Sequence, residues 1–164
     1  MTTAIDTNVL VALWDTDEAL NSTAQLALDA ALNRGRLVIP PPVFAELMAC
    51  PGRSESFLDS FLRETGIAVD WDLDETIWRK AGLAFQSYAA RRRKHRNEGP
   101  RRILADFLIG AWALERRHHL LTLDDRLYLT SFPGLVVMKV RSLSAWSRRG
   151  HGAKISLAFG KGSG

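Results

Sequence analysis

Five short apolar segments, separated by longer segments of helical character, leave few folds open to this chain of 164 residues. Each segment is apolar along its whole run rather than at alternate positions, which is typical of strands covered on both faces. Strands that alternate with helices predict a parallel sheet between layers of helices. We therefore expect an α/β fold, a three-layer α/β/α sandwich around a central, mainly parallel five-stranded sheet. The predicted strands are 3–6, 36–39, 67–71, 119–122 and 135–140.

The segments between these strands predict the helices. Gly35 and Gly66 follow two of them as stop signals, and prolines 40–42 stand at the start of another, where the first helical turn tolerates proline. The length fits one domain, which we expect over residues 1–140. Residues 141–164 predict a basic, irregular C-terminal extension. The predicted helices are 9–14, 23–33, 43–49, 54–64, 74–94, 103–117 and 125–131.

Composition excludes several classes of protein. The single cysteine, Cys50, rules out an internal disulfide and a cysteine-based zinc site. No run reaches the roughly 18 consecutive apolar residues that a transmembrane helix needs. The N-terminal segment has no basic flank before its apolar run, so it is not typical of a signal peptide. We expect a cytoplasmic protein without a membrane partner.

Positive charge is concentrated in two parts of the chain. The net charge is +4. The first concentration is residues 126–164, since no acidic residue follows Asp125. A second concentration lies just before the apolar helix 103–117, where it either binds RNA phosphates or forms an ordinary solvated helix end. The candidate RNA-binding residues are Arg91, Arg92, Arg93, Lys94, Arg96, Arg101 and Arg102.

Acidic residues also occur where charge is costly. Glu46 lies inside PPVFAELMAC and Asp106 inside ILADFLIGAWAL, two apolar helical segments that contain no Lys or Arg to pair with these acids. Asp6 ends the first strand, and Asp124 and Asp125 follow the fourth, so they reach the carboxyl edge of the sheet, where ligands bind. Converging carboxylates would repel each other unless a cation held them, and Mg²⁺ prefers carboxylate oxygens. The pattern therefore predicts a divalent metal site.

Each acid also has a purely structural alternative. Asp6 is a favourable residue for capping the first helix. Glu46 would interact favourably with the dipole of its helix if it lay in the first turn. Asp124 or Asp125 would be ordinary turn or capping residues. Asp106, within a helical apolar face, has the weakest structural alternative.

Four motifs together carry a family resemblance: IDTNVLVAL, PPVFAEL, ILADFLIGAWAL and LLTLDD. Over residues 4–140 the chain resembles the PIN-domain nucleases, and more closely the VapC-type toxins of toxin–antitoxin pairs. The resemblance implies an endoribonuclease that depends on Mg²⁺ or Mn²⁺, is blocked by a cognate antitoxin and forms a homodimer. The implied catalytic and metal-binding residues are Asp6, Glu46, Asp106 and Asp124, and the implied supporting residues are Thr7, Asn8, Thr122 and Asp125.

Two other functions remain open at this stage. The acids would also suit a non-catalytic RNA- or protein-binding module with a structural metal ion. A haloacid-dehalogenase-like phosphatase also has an aspartate after its first strand, but its chemistry requires a second aspartate two residues later, where this chain has Asn8.

Overall fold

Five parallel strands form the centre of the protein. The computed structural model describes residues 1–95 and 103–140. Its strands are β1 (Thr2–Ile5), β2 (Arg36–Ile39), β3 (Ile67–Val69), β4 (His119–Thr122) and β5 (Val137–Lys139). They pair in the order β3-β2-β1-β4-β5, and every pairing is parallel. The predicted α/β fold with a central five-stranded sheet is confirmed.

Seven helices surround the sheet in the described residues. Because the chain adds β2 and β3 on one side of β1, and β4 and β5 on the other, right-handed crossovers put helices on both faces. The change of direction between β1 and β4 is the place where such sheets bind ligands. The helices are α1 (Thr7–Ala12), α2 (Glu18–Leu32), α3 (Pro41–Met48), α4 (Glu55–Thr65), α5 (Glu75–His95), α6 (Leu104–Glu115) and α7 (Arg126–Ser131).

The largest departure from the predicted elements is the start of α2. It begins at Glu18 rather than at 23, because the Asp17 carboxylate accepts the backbone N–H groups of Ala19 at 2.9 Å and Leu20 at 3.2 Å. The last strand is shorter than predicted, since Leu135 is held in a turn by a bond from its N–H to the Phe132 carbonyl. These differences shift element ends without changing the order of elements.

Some expectations concern parts of the chain that the structure does not describe. The predicted extension 141–164 lies outside the described residues, as do Arg96, Arg101 and Arg102. Within 1–95 and 103–140, no helix combines the length and the apolar character that crossing a membrane requires.

Helix α6 forms the most buried part of the core. Seven consecutive residues, 107–113, are buried. Gly110 permits a close approach in this helix, since a Cβ built there would lie 2.3 Å from the Phe132 ring. Phe132 is itself only 2% exposed, so its ring has little room to move. Gly110 therefore sets how closely the segment after β4 packs against α6.

We expect Gly110→Ala to lower the free energy of unfolding by about 1–2 kcal/mol, because overpacking outweighs the roughly 1 kcal/mol that alanine gains over glycine in a helix. Gly82→Ala is the matched control, since Gly82 also lies in a helix but a Cβ there would meet nothing within 4 Å. It should stabilise the protein. Urea denaturation of both variants measures the difference, and equal shifts in the same direction would contradict this account of Gly110.

Candidate active site

Asp6 is a buried carboxylate at the carboxyl end of β1. Its backbone N–H donates to the Leu121 carbonyl of β4 at 3.0 Å, and the residue is 5% exposed. Its Oδ2 accepts hydrogen bonds from Thr122 Oγ1 at 2.6 Å and Asn8 Nδ2 at 2.8 Å. Although Asp6 is the N-cap residue of α1, its side chain makes no capping hydrogen bond. The capping alternative for Asp6 is therefore wrong.

Glu46 lies on α3, and its side chain contacts the start of α1. It lies beyond the first turn of α3, so the interaction with the helix dipole that we considered does not apply. Its Oε2 accepts a hydrogen bond from the Thr7 hydroxyl at the start of α1. Thr7 is thus a supporting residue for the Glu46 carboxylate, in contact with it across 39 positions of sequence.

Asp106 lies in the first turn of α6, which begins one residue later than predicted. Its Oδ2 accepts the backbone N–H of Ile103, the N-cap residue, at 3.1 Å. Because isoleucine has no side-chain acceptor, this is only one half of a capping box. Asp106 therefore has a structural role in addition to its position near the other acids.

The three carboxylates act on one another electrostatically. Burial, followed by the charges of Asp106 and Glu46, raises the pKa of Asp6 from 3.8 to about 6, against the opposing hydrogen bond from Thr122. Burial and then the charge of Asp106 raise the pKa of Glu46, opposed by the hydrogen bond from Thr7. The structure therefore brings Asp6, Glu46 and Asp106 within mutual electrostatic reach.

Asp124 connects to this group through Thr122. The Thr122 hydroxyl, which donates to Asp6, accepts the backbone N–H of Asp124 at 3.1 Å. Asn8 braces the same loop, since its Oδ1 accepts the Leu123 N–H at 3.0 Å. The Asp124 carboxylate also accepts the backbone N–H of Arg126 at 3.3 Å, a turn-stabilising contact. Asp124 is half-buried beside the site.

Asp125 has a different partner from the other acids. Its Oδ1 lies 2.9 Å from Lys139 Nζ on β5. It is the N-cap residue of α7, but its side chain makes no capping hydrogen bond. The structure thus pairs Asp125 with a lysine rather than with Asp6, Glu46 or Asp106.

Tyr128 is a residue of this region that the sequence analysis did not identify. It is 2% exposed, and its hydroxyl lies close enough to the Asp6 carboxylate to lower the pKa of Asp6. Burial, followed by the charges of Asp6 and Asp106, raises the pKa of Tyr128 well above its usual value of 10.0. The only sequence signal was its position in the short helix that follows Asp124.

The basic end of α5 lies near the Asp106 end of α6. The rings of Phe85 and Tyr88 contact the ring of Phe107, the neighbour of Asp106, with centroids 4.9 and 5.4 Å apart. The basic run begins three residues after Tyr88, and Arg92 lies over the Tyr88 ring at 5.8 Å. In the same run, the side chains of Arg91, Arg93 and Lys94 are exposed.

The donor atoms of the site suit a hard divalent cation. Carboxylate oxygens are what Mg²⁺ and Mn²⁺ prefer, and a cation would offset the burial and the neighbouring charges of Asp106 and Glu46 that raise the pKa of Asp6. In the described parts of the chain, no three acidic, histidine or cysteine side chains form a ready-made set of ligands. Instead, hydroxyl and amide donors from Thr7, Asn8 and Thr122 hold the carboxylates.

The chain belongs to the PIN domain family, whose model matches residues 3–133. Proteins of this family are in general nucleases that use divalent metal ions, which defines the class as a hydrolase acting on nucleic acid. This membership sets aside the phosphatase alternative. In a comparison with curated proteins, nothing matches the chain.

Solved structures share the fold at low sequence identity. A chain of VapBC2 from Rickettsia felis, solved bound to a DNA fragment from its promoter, is 19% identical with a TM-score of 0.61, and the match covers 85% of this chain and 98% of that one. A chain of VapBC-1 from nontypeable Haemophilus influenzae is 20% identical with a TM-score of 0.55, over 85% and 98%. A chain of a toxin–antitoxin complex from Klebsiella pneumoniae is 18% identical with a TM-score of 0.55, over 86% and 99%.

Proposed function

We propose that this protein is a metal-dependent endoribonuclease and the toxin of a type II toxin–antitoxin pair. The observation that carries the proposal is Asp6, which is 5% exposed and shares its surroundings with two further carboxylates at the β1–β4 edge. Burying carboxylates close together costs stability. That cost is the usual signature of a functional site rather than of a structural one.

The proposed ligands of Mg²⁺ or Mn²⁺ are Asp6, Glu46, Asp106 and Asp124. When bound, such a cation lowers the pKa of a water molecule and stabilises the leaving oxygen of a phosphodiester. The other side chains orient the acids: Thr122 and Asn8 hold Asp6, and Thr7 holds Glu46. Because Asp125 pairs with Lys139, we give it no more than a supporting role for the loop.

We propose that the basic end of α5 binds the RNA backbone. The packing of Phe85 and Tyr88 on Phe107 supports this proposal, because it brings that end of α5 close to the proposed ligand Asp106. Positive side chains near a carboxylate site draw a polyanion toward it. The proposed RNA-binding residues are Arg91, Arg92, Arg93 and Lys94, together with Arg96, Arg101 and Arg102 outside the described residues.

The remaining parts of the proposal concern partners. We propose a cognate antitoxin, a homodimer and a cytoplasmic location, with residues 1–140 as the nuclease domain and 141–164 as an extension. The shared fold with a chain of a toxin–antitoxin complex supports the antitoxin. A co-expressed antitoxin that copurifies with the protein and inhibits it would agree with this.

The test is cleavage of RNA by the purified, antitoxin-free protein. We expect cuts at defined positions in total cellular RNA with Mg²⁺ or Mn²⁺, mapped by sequencing the new ends, and none with EDTA. DNA of the same sequence should stay intact. Asp6→Asn protein, purified in parallel, controls for contaminating ribonucleases. Two results would overturn the proposal and favour a binding module. One is that neither Mg²⁺ nor Mn²⁺ supports cleavage, and the other is that Asp6→Asn protein cleaves as well as wild type.

A further inference from the structure

The hydroxyl of Tyr128 is a buried polar group that the fold leaves incompletely bonded. The residue is 2% exposed, and in the described part of the chain no acceptor or donor meets its hydroxyl in full hydrogen-bond geometry. A buried hydroxyl without a partner is unfavourable, and a phenylalanine would fill the same space without that cost. The presence of the oxygen therefore calls for an explanation.

The contact of Phe132, the residue that follows α7, with Gly110 of α6 indicates where the hydroxyl lies. Phe132 packs on Gly110, where a Cβ would lie 2.3 Å from its ring. Tyr128 precedes Phe132 by four residues, just as Asp106 precedes Gly110 by four, and both helices start at the same edge of the sheet. Residues four apart lie on one face of a helix. Tyr128 therefore lies one turn nearer the acids than the Phe132–Gly110 contact.

The hydrogen bonds of Asp6 leave a place for this hydroxyl. Thr122 and Asn8 both donate to Oδ2 of Asp6. An ionised carboxylate has about four lone-pair sites on its two oxygens, so Oδ1 has capacity for a cation and one further donor. The Tyr128 hydroxyl is a buried donor beside the Asp6 carboxyl group, and an ordinary phenol is protonated at neutral pH.

We propose that Tyr128 is a positioning residue, whose hydroxyl donates to the Asp6 carboxylate when a divalent cation binds there and fixes the direction in which Asp6 offers its oxygens. The inference rests on the proposed function, because it takes Asp6 as a metal ligand. Groups that support metal ligands in this way contribute roughly 10–100-fold to metal affinity.

A merely structural Tyr128 would behave differently from a positioning one. If the hydroxyl served the fold, Tyr128→Phe would destabilise the metal-free protein. If it serves the metal site, the metal-free variant should keep close to wild-type stability, because removing an incompletely bonded buried hydroxyl offsets the loss of its interaction with the Asp6 carboxylate. Its affinity for the metal ion should fall at the same time.

The experiment is calorimetric titration of the full-length, metal-free protein with Mn²⁺ alone, together with urea denaturation in EDTA. We expect Tyr128→Phe to raise the Kd for Mn²⁺ by about tenfold without loss of stability. Ser131→Ala is the matched control, since Ser131 Oγ is a second buried hydroxyl without a partner near the end of the same helix. Its Kd should stay within about twofold of wild type, as for a site that does not touch the metal.

Three results would count against the inference. Wild-type affinity in Tyr128→Phe, or a marked loss of stability in EDTA, would overturn the role of Tyr128 and leave the proposed function intact. An equal loss of affinity in Ser131→Ala would also overturn it. Failure of the wild-type protein to bind Mn²⁺ at all would overturn the proposed metal site, and the role of Tyr128 with it.

Discussion

Asp6→Asn is expected to abolish RNA cleavage and to make the metal-free protein more stable at neutral pH. An amide is a much weaker ligand for Mg²⁺ than a carboxylate. The loss of activity should therefore exceed the roughly 10–100-fold effect of removing a group that only supports a ligand. Timed digestion of a mapped RNA substrate at saturating Mn²⁺ measures it.

The gain in stability follows from the raised pKa of Asp6. The folded protein holds the proton of this carboxyl up to about pH 6, whereas the unfolded chain releases it near 3.8. Stability is therefore lost as the pH rises between these values, and the loss is complete above the folded pKa. At 1.36 kcal/mol per pKa unit, ionisation of Asp6 lowers the free energy of unfolding by about 3 kcal/mol. Asparagine does not ionise and avoids this loss.

The difference between variant and wild type should thus grow from about pH 4 to a plateau above about pH 6. Urea denaturation in EDTA across this range measures it. Asp59→Asn is the control, because Asp59 is an exposed acid on α4. A variant that is less stable than wild type at neutral pH, or a difference independent of pH, would contradict the assigned cost of Asp6.

The meeting of Asp6 with Thr122 was predictable from the chain for a physical reason. Both residues stand at strand ends, and parallel strands bring their carboxyl ends to one edge of the sheet. The sequence did not determine that β1 and β4 are direct neighbours, which the order β3-β2-β1-β4-β5 now provides. That pairing turns a shared edge into a 2.6 Å hydrogen bond.

Asp125 and Tyr128 show what the sequence could not provide. Asp125 was grouped with Asp124 by adjacency, but its partner Lys139 reaches it only because β5 pairs with β4. Tyr128 sits in an apolar segment, so its ring predicts a core residue and nothing about its oxygen. Where that oxygen lies depends on how Phe132, directly after α7, packs against Gly110 of α6, a tertiary contact that local patterns do not contain.

The other large effect is expected for Thr122→Val, which removes the hydroxyl that ties Asp6 to Asp124. This residue is fully buried, and its Oγ1 donates to Asp6 and accepts the Asp124 N–H. Valine leaves both groups without that partner, so the free energy of unfolding should fall by about 1–3 kcal/mol. Activity should fall by roughly 10–100-fold, because Asp6 loses its shortest hydrogen bond and with it a fixed orientation.

Thr3→Val provides the matched control for Thr122→Val. Thr3 is also fully buried on a strand, but its hydroxyl has no partner among the described residues, so valine there should be neutral or stabilising. A double-mutant cycle with Asp6→Asn then isolates the contact, since the stability cost of Thr122→Val should shrink once the charge is gone. If both threonine variants behave alike, or if the cycle shows no coupling, Thr122 does not hold the Asp6 carboxylate in the folded protein.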